Sequence, residues 1–174
     1  MIRTITVRER GAVPRRMRAA YNKAAKASWV EAGKWWHANR RDLRFSVAHG
    51  RKAGYLPRKG EETGLSRAEF FRSYTGRKLR RWGHRRPLEF SGETRRMVRS
   101  VSITASTQSR TNYHVRLAYA GARKFNFRNP HSQIRMADEF RRLTPEEPAM
   151  VGSVYDAGLN KRIDADKTEN TVRA

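Results

Sequence analysis

The chain contains no cysteine, which removes disulfides, thiolate zinc sites, Cys-ligated clusters and thiol nucleophiles together. No apolar run approaches the roughly 18 residues of a membrane-spanning helix. The N-terminal stretch also lacks the apolar core and small-residue cleavage site of a signal peptide. The expectation is a protein made and acting in the cytoplasm, or in a particle assembled there, with no membrane partner. Acids are scarce as well: 39 Lys and Arg stand against 16 Asp and Glu, for a net charge of +23 over 174 residues. That is far more charge than solubility requires, and the isolated chain repels itself at low salt. A negative partner is expected, nucleic acid first and an acidic protein face second.

The shortage of acids narrows the chemistry too. The carboxylates are too scattered for a two-metal nuclease, and adjacent Glu61 and Glu62 would face different ways on any regular element. No glycine-rich phosphate loop is present. The histidines are His37, His49, His84, His114 and His131, with no pair at metal-ligand spacing. His37, beside Trp36, reads as part of a packed helix, and His84, in GHRR, as a phosphate or backbone contact. No catalytic residue, metal or cofactor is expected.

What is present is one domain's worth of chain with a thin core. Four Trp, six Tyr and seven Phe argue against disorder although hydrophobic residues are only 37%. The expected fold is α+β: a long N-terminal amphipathic helix and shorter helices packed on a small antiparallel sheet, with extended loops. Residues 1–158 form a single domain with an N-terminal arm, and 159–174 form a polar tail that orders on assembly. MIRTITVRERG reads as a short strand or arm. From Pro14, the spacing of Met17, Tyr21, Ala24, Ser28, Ala32, Trp35 and Asn39 predicts one long helical stripe widened by Trp29 and Trp36. Residues 46–64 read as irregular. Ser66 and Glu69 have capping-box spacing and open a helix over 67–82 whose face is Phe70, Phe71, Tyr74, Leu79 and Trp82. Ser91 can cap a helix to about residue 99. Val101, Ile103, Ala105 and Thr107, then Tyr113, Val115, Leu117 and Tyr119, alternate as a hairpin should. A helix is expected over about 131–142, and another from Thr144-Pro145-Glu146-Glu147, burying Met150, Val151, Val154 and Tyr155.

The charge sits in the body of the chain. Residues 1–143 hold 35 basic and 10 acidic residues, whereas 144–174 hold four and six. Arg72, Arg77, Lys78, Arg80, Arg81, Arg85 and Arg86 follow one another with no acid between them. An ordinary solvated helix would carry i,i+4 acids; this one does not, which marks a surface for a polyanion or an acidic protein. Such a surface grips phosphates without reading sequence. Arg95, Arg96 and Arg99 extend it, with His84 inside it. Phe70, Phe71 and Tyr74 fall at core-like spacing, so base stacking on them is not expected.

The stretches HGRKAGYLPRK, GRKLRRWGHRRPLEFSGETRRMVRS, SITAS and FNFRNPHSQIRMADEFRRLTPEE, in this order over residues 46–147, resemble a family of small morphogenesis proteins of tailed bacteriophages, the head-tail joining, neck and tail-completion group. The pattern is a Pro-Leu strand end, Ser-Gly, a short arginine-bearing helix ending in serine, and a hairpin. The resemblance implies a non-enzymatic virion protein at the head-tail junction. It would form a homo-oligomeric ring of six- or twelve-fold symmetry between portal, neck or tail proteins, with non-specific contact to double-stranded DNA. It further implies that loops 50–64 and 121–130 and the C-terminal tail reach neighbouring subunits, with Trp29, Trp35, Trp36, Tyr55, Phe125 and Phe127 as interface candidates. The charge alone also fits a nucleic-acid-binding protein of ribosomal or nucleoid-associated type.

Overall fold

The computed structural model describes residues 2–8, 18–62, 64–107, 112–119, 122–126 and 132–172. The fold is α+β, with several helices, a longer N-terminal one among them, and a small antiparallel sheet. The chain divides into two compact units, each built from separate stretches: Ile2–Arg40, Val101–Tyr119 and Pro145–Ala174 in one, and Arg41–Ser100 with Ala120–Thr144 in the other.

The first unit is a helix-on-sheet layer. Strands β1 (Ile2–Arg8), β2 (Ser102–Thr107) and β3 (Asn112–Ala118) form an antiparallel sheet in the order β1-β3-β2, with Ile5 opposite Val115 and Ala105 opposite Val115 on the other side. Tyr113, Val115 and Leu117 are buried, as alternation requires, but His114 between them is buried as well. The QSRTN turn lies largely outside the described residues. Helix α1 (Arg18–Arg40) packs on this sheet and buries Ala24, Ala25, Ser28, Trp29, Ala32, Gly33 and Trp36. At Gly33 a Cβ would come within 2.9 Å of Ile103 Cγ2 and 3.0 Å of Val115 Cγ2, so the missing side chain is what lets helix and sheet approach so closely. The stripe is thus rotated from the expected one. Its buried positions are 24, 25, 28, 29, 32, 33 and 36, and Asn39 is exposed.

Helix α7 (Glu147–Val172) packs along α1. Two sequence expectations are corrected here. The helix starts at Glu147, so Pro148 rather than Pro145 occupies its first turn. It also runs through Gly158 into the stretch read as a polar tail. Gly158 and Leu159 are buried, and Arg162 fastens the continuation by pairing with Glu31 at 2.9 Å and donating to Ser28 Oγ (3.2 Å) and Gly158 O (2.7 Å). Trp29 stacks on Tyr155 at 4.2 Å between ring centroids.

The second unit is made of short helices: α2 (Val47–Lys52), α3 (Arg67–Arg72), α4 (Tyr74–Trp82), α5 (Glu93–Met97) and α6 (Met136–Arg141), with 3-10 turns at Asp42–Phe45 and Ala122–Asn126. Its small apolar centre is Phe45, Phe125 and Phe140, with Phe140 within 6.0 Å of Phe45 and 5.0 Å of Phe125 between centroids. Buried charge supplements it. Arg58 and Glu139 form a two-pronged ion pair, both buried, and Glu139 Oε1 also accepts from Leu56 N at 2.9 Å. Arg44, fully buried, donates to Arg142 O at 2.8 Å and meets the His49 ring. Residues 46–64 are therefore less irregular than expected. Ser46 caps α2 by accepting from His49 N, and the loop that follows is pinned to α6.

Candidate functional site

The arginine-rich stretch belongs to the second unit, and its local geometry follows from its serines and glycines. The Ser66–Glu69 capping box forms as expected, and Glu69 is held below the usual carboxylate range by the Ser66 hydroxyl and backbone N–H. The single helix expected over 67–82 is broken at Ser73. This residue ends α3 through its N–H to Glu69 O and Phe70 O, then caps α4 by accepting from Gly76 N at 3.1 Å. Its hydroxyl also donates to Phe70 O at 2.6 Å, an instance of serine competing with the helix ladder. Gly76 is required at this junction because a Cβ there would lie 1.9 Å from Phe70 O. Gly83, at φ +69°, closes α4. Ser91 does not cap α5. The cap position is Gly92 at φ +81°, without a side-chain bond, and Thr94 Oγ1 instead donates to Leu88 O at 2.7 Å.

Of the residues expected to form the basic surface, Arg72, Arg77, Arg80, Arg81, Arg85, Arg86, Arg96 and Arg99 are exposed, and His84 and Arg95 are half-buried. Arg72, Arg77, Arg80, Arg81, Arg85 and Arg96 make no ion pair among the described residues. Arg86 meets Glu89 Oε1 at 3.3 Å, and Arg95 meets Asp42 Oδ2 at 3.2 Å. The Arg41 hydrogen bond, joined by Arg95, holds the Asp42 carboxyl below its ordinary value.

Lys78 leaves this surface, a correction to the sequence reading. It is only 2% exposed and turns inward, donating to Glu89 O at 3.0 Å and also to Arg86 O. Burial, with Arg58 adding to it, pulls its ammonium down to about 8. Beside it Glu89 is 2% exposed, with Oε1 3.6 Å from His84 Nε2, while its Oε2 and His84 Nδ1 are buried without a hydrogen-bond partner among the described residues. Burial pushes the His84 ring down, against the pull of Glu89. The segment 84–89 is thus clamped from inside by Lys78 while Arg85 and Arg86 point outward. Leu88, at φ +59°, holds a left-handed conformation unfavourable for leucine.

Aromatic rings interleave with these charges. Phe70, Phe71 and Tyr74 are half-buried, as their spacing suggested, but Trp82 is 43% exposed and Phe90 39%. These two meet edge to face, 6.5 Å between centroids at 78°, and Phe90 leans on Tyr74 at 5.6 Å. Arg81 lies 5.5 Å from the Trp82 centroid and Arg85 4.8 Å from that of Phe70. An exposed Trp82 was not foreseen, because helical spacing placed it on the apolar face.

The proposed interface residues fare differently. Trp29 and Trp36 are buried within the helix-on-sheet unit and Phe125 within the other, so their own unit already covers the surface a neighbour was expected to cover. Trp35 is half-buried with Arg40 over its ring, and Tyr55 packs edge-on against His49 with Arg58 near its face. Phe127, like His131, lies outside the described residues. A cleft of about 630 Å³ is bordered by Tyr55, Arg58, Glu61, Glu62, Phe70 and Arg85, a lining of mixed charge.

Among the described residues no group of three His, Asp or Glu could hold a metal, and no helix is long and apolar enough to cross a membrane. His37 sits with Nδ1 3.3 Å from the Tyr119 hydroxyl, as a packed helical histidine would. What the exposed arginines of α4 and the segment after it offer is positive charge on a braced scaffold, chemistry that can hold phosphates or carboxylates. No family model, curated protein or solved structure matches this chain.

Proposed function

We propose that this protein is a non-enzymatic structural component of a tailed-bacteriophage head-tail junction, a ring-forming connector, neck or tail-completion adaptor whose arginine surface lies against DNA. One observation carries the polyanion part of the reading. Six outward arginines, Arg72, Arg77, Arg80, Arg81, Arg85 and Arg96, have no ion-pair partner among the described residues, so the field they create is left for something outside to neutralise. Their side chains require no sequence reading, which suits a protein that DNA passes or rests upon. The assignment to the head-tail junction rests on the resemblance over residues 46–147. Its Ser-Gly turn corresponds to Gly92 at φ +81°, opening a short arginine-bearing helix before the hairpin.

The test is native recovery of the protein from cells producing it, with nuclease treatment and mass spectrometry of what accompanies it. Portal, neck or tail proteins recovered after nuclease are the expected result. Loss of every partner with the nucleic acid would replace the adaptor reading by a basic nucleic-acid-binding protein of ribosomal or nucleoid-associated type.

A further inference from the structure

The exposed rings are not explained by contact with a DNA backbone. A duplex presents phosphates outward and keeps its base faces stacked on one another, so a solvent-facing indole gains nothing from it. We infer that Trp82 and Phe90, with Arg81 beside the indole and Arg77, Arg80, Arg85 and Arg86 around them in the chain, form a stacking platform for the unpaired bases of single-stranded nucleic acid. The inference rests on the polyanion reading of this surface, not on its placement at the head-tail junction, and adds a single strand to the duplex that the arginines alone would hold.

Three observations support it. First, the two rings are exposed although Phe70, Phe71 and Tyr74 of the same segment are half-buried, so the unit's own packing has used the others and left these. Gly83 follows Trp82 directly, and beyond its chain neighbours no described residue lies within 4 Å of where its side chain would be. Second, the platform is braced. Lys78 Nζ holds the carbonyl of Glu89, the residue before Phe90, against α4, and Phe90 meets both Tyr74 and Trp82. Little ordering is then left to do on binding. Third, Arg81 lies 5.5 Å from the Trp82 centroid, and no acid interrupts the sequence from Arg72 to Arg86. A single strand likewise sets a phosphate beside each base. An acidic protein would satisfy the arginines, but needs no flat faces.

The test uses the intact chain and fluorescence anisotropy with a labelled thymidine oligonucleotide of about 20 residues, a duplex of the same length, and polyglutamate as competitor. Trp82→Ala should weaken binding of the single strand about tenfold and that of the duplex less than about twofold. Trp82→Phe should retain most of the single-strand affinity, and Phe90→Leu should repeat the loss in part. Circular dichroism melting checks that each variant folds, and Phe90→Leu carries the test if Trp82→Ala does not. Equal effects on both nucleic acids, or none, overturn the platform and leave the polyanion surface standing. Failure of the unaltered protein to bind either nucleic acid overturns both. Displacement by polyglutamate as readily as by unlabelled oligonucleotide overturns the platform in favour of an acidic protein.

Discussion

Lys78 shows how one side chain can be read correctly as basic and wrongly as surface. Composition places it in a run of seven cations, yet its position one turn from Tyr74 and Trp82 on α4 turns it inward onto two backbone carbonyls. Its charged form is the disfavoured one in the folded state, so between about 8 and the ordinary value of 10.5 the unfolded chain holds more protons than the folded one. Stability should therefore rise with pH across that window. Lys78→Met should flatten the rise, measured as the difference in urea midpoint between the two proteins at each pH. Gly76 offers a second test at this scale. Alanine would gain about 1 kcal/mol of helix propensity, but its Cβ would lie 1.9 Å from Phe70 O, and backbone cannot yield as a side-chain tip can. The clash should win, with Gly76→Ala losing more than about 2 kcal/mol in denaturant unfolding. Neither residue announces its role in sequence, because inward direction and close approach depend on what the next element does.

Some chemical punctuation was legible and some was not: the capping box at Ser66 forms as read, whereas the caps read at Ser91 and at Thr144-Pro145 do not. The long N-terminal helix is present, with its buried stripe rotated, and Tyr113, Val115 and Leu117 are buried. The break at Ser73 escaped because serine and glycine inside a helical pattern are tolerated as often as they interrupt it. The extension of α7 escaped because its polar residues gave no periodic signal, and what secures them is Arg162 reaching Glu31 and Ser28. The loop after α2 depends on the buried pair of Arg58 and Glu139, which no local pattern betrays across so many residues. Arg58→Met alone should cost about 3–5 kcal/mol by stranding a buried carboxylate. Arg58→Met with Glu139→Leu should recover much of that loss, a comparison that thermal melts of the three proteins can make.

For the molecule as a whole the charge was the most readable property, and its placement the least. A net +23 predicts a polyanion partner before any element is assigned, but which arginines face outward without a counter-charge emerges only from the fold. Replacing Arg77, Arg80 and Arg81 together with Gln should lower the slope of log affinity against log salt by about 2 to 3 for duplex DNA, since each lost phosphate contact releases fewer counterions. Binding at several salt concentrations would measure it, and melting temperature should hardly move. The aromatic interface expected from the resemblance was less legible, because large rings are needed first for the thin cores of the two units. Their threading has a consequence for synthesis. The chain leaves the helix-on-sheet unit after Arg40 and after Tyr119 and returns at Val101 and Pro145, so the arginine-bearing unit amounts to two insertions in a host formed by β1, α1, the β2–β3 pair and α7. On the ribosome the inserted unit is complete once Thr144 has emerged, whereas its host must wait for α7. The guest can thus be finished, and charged, before the host that carries it has closed.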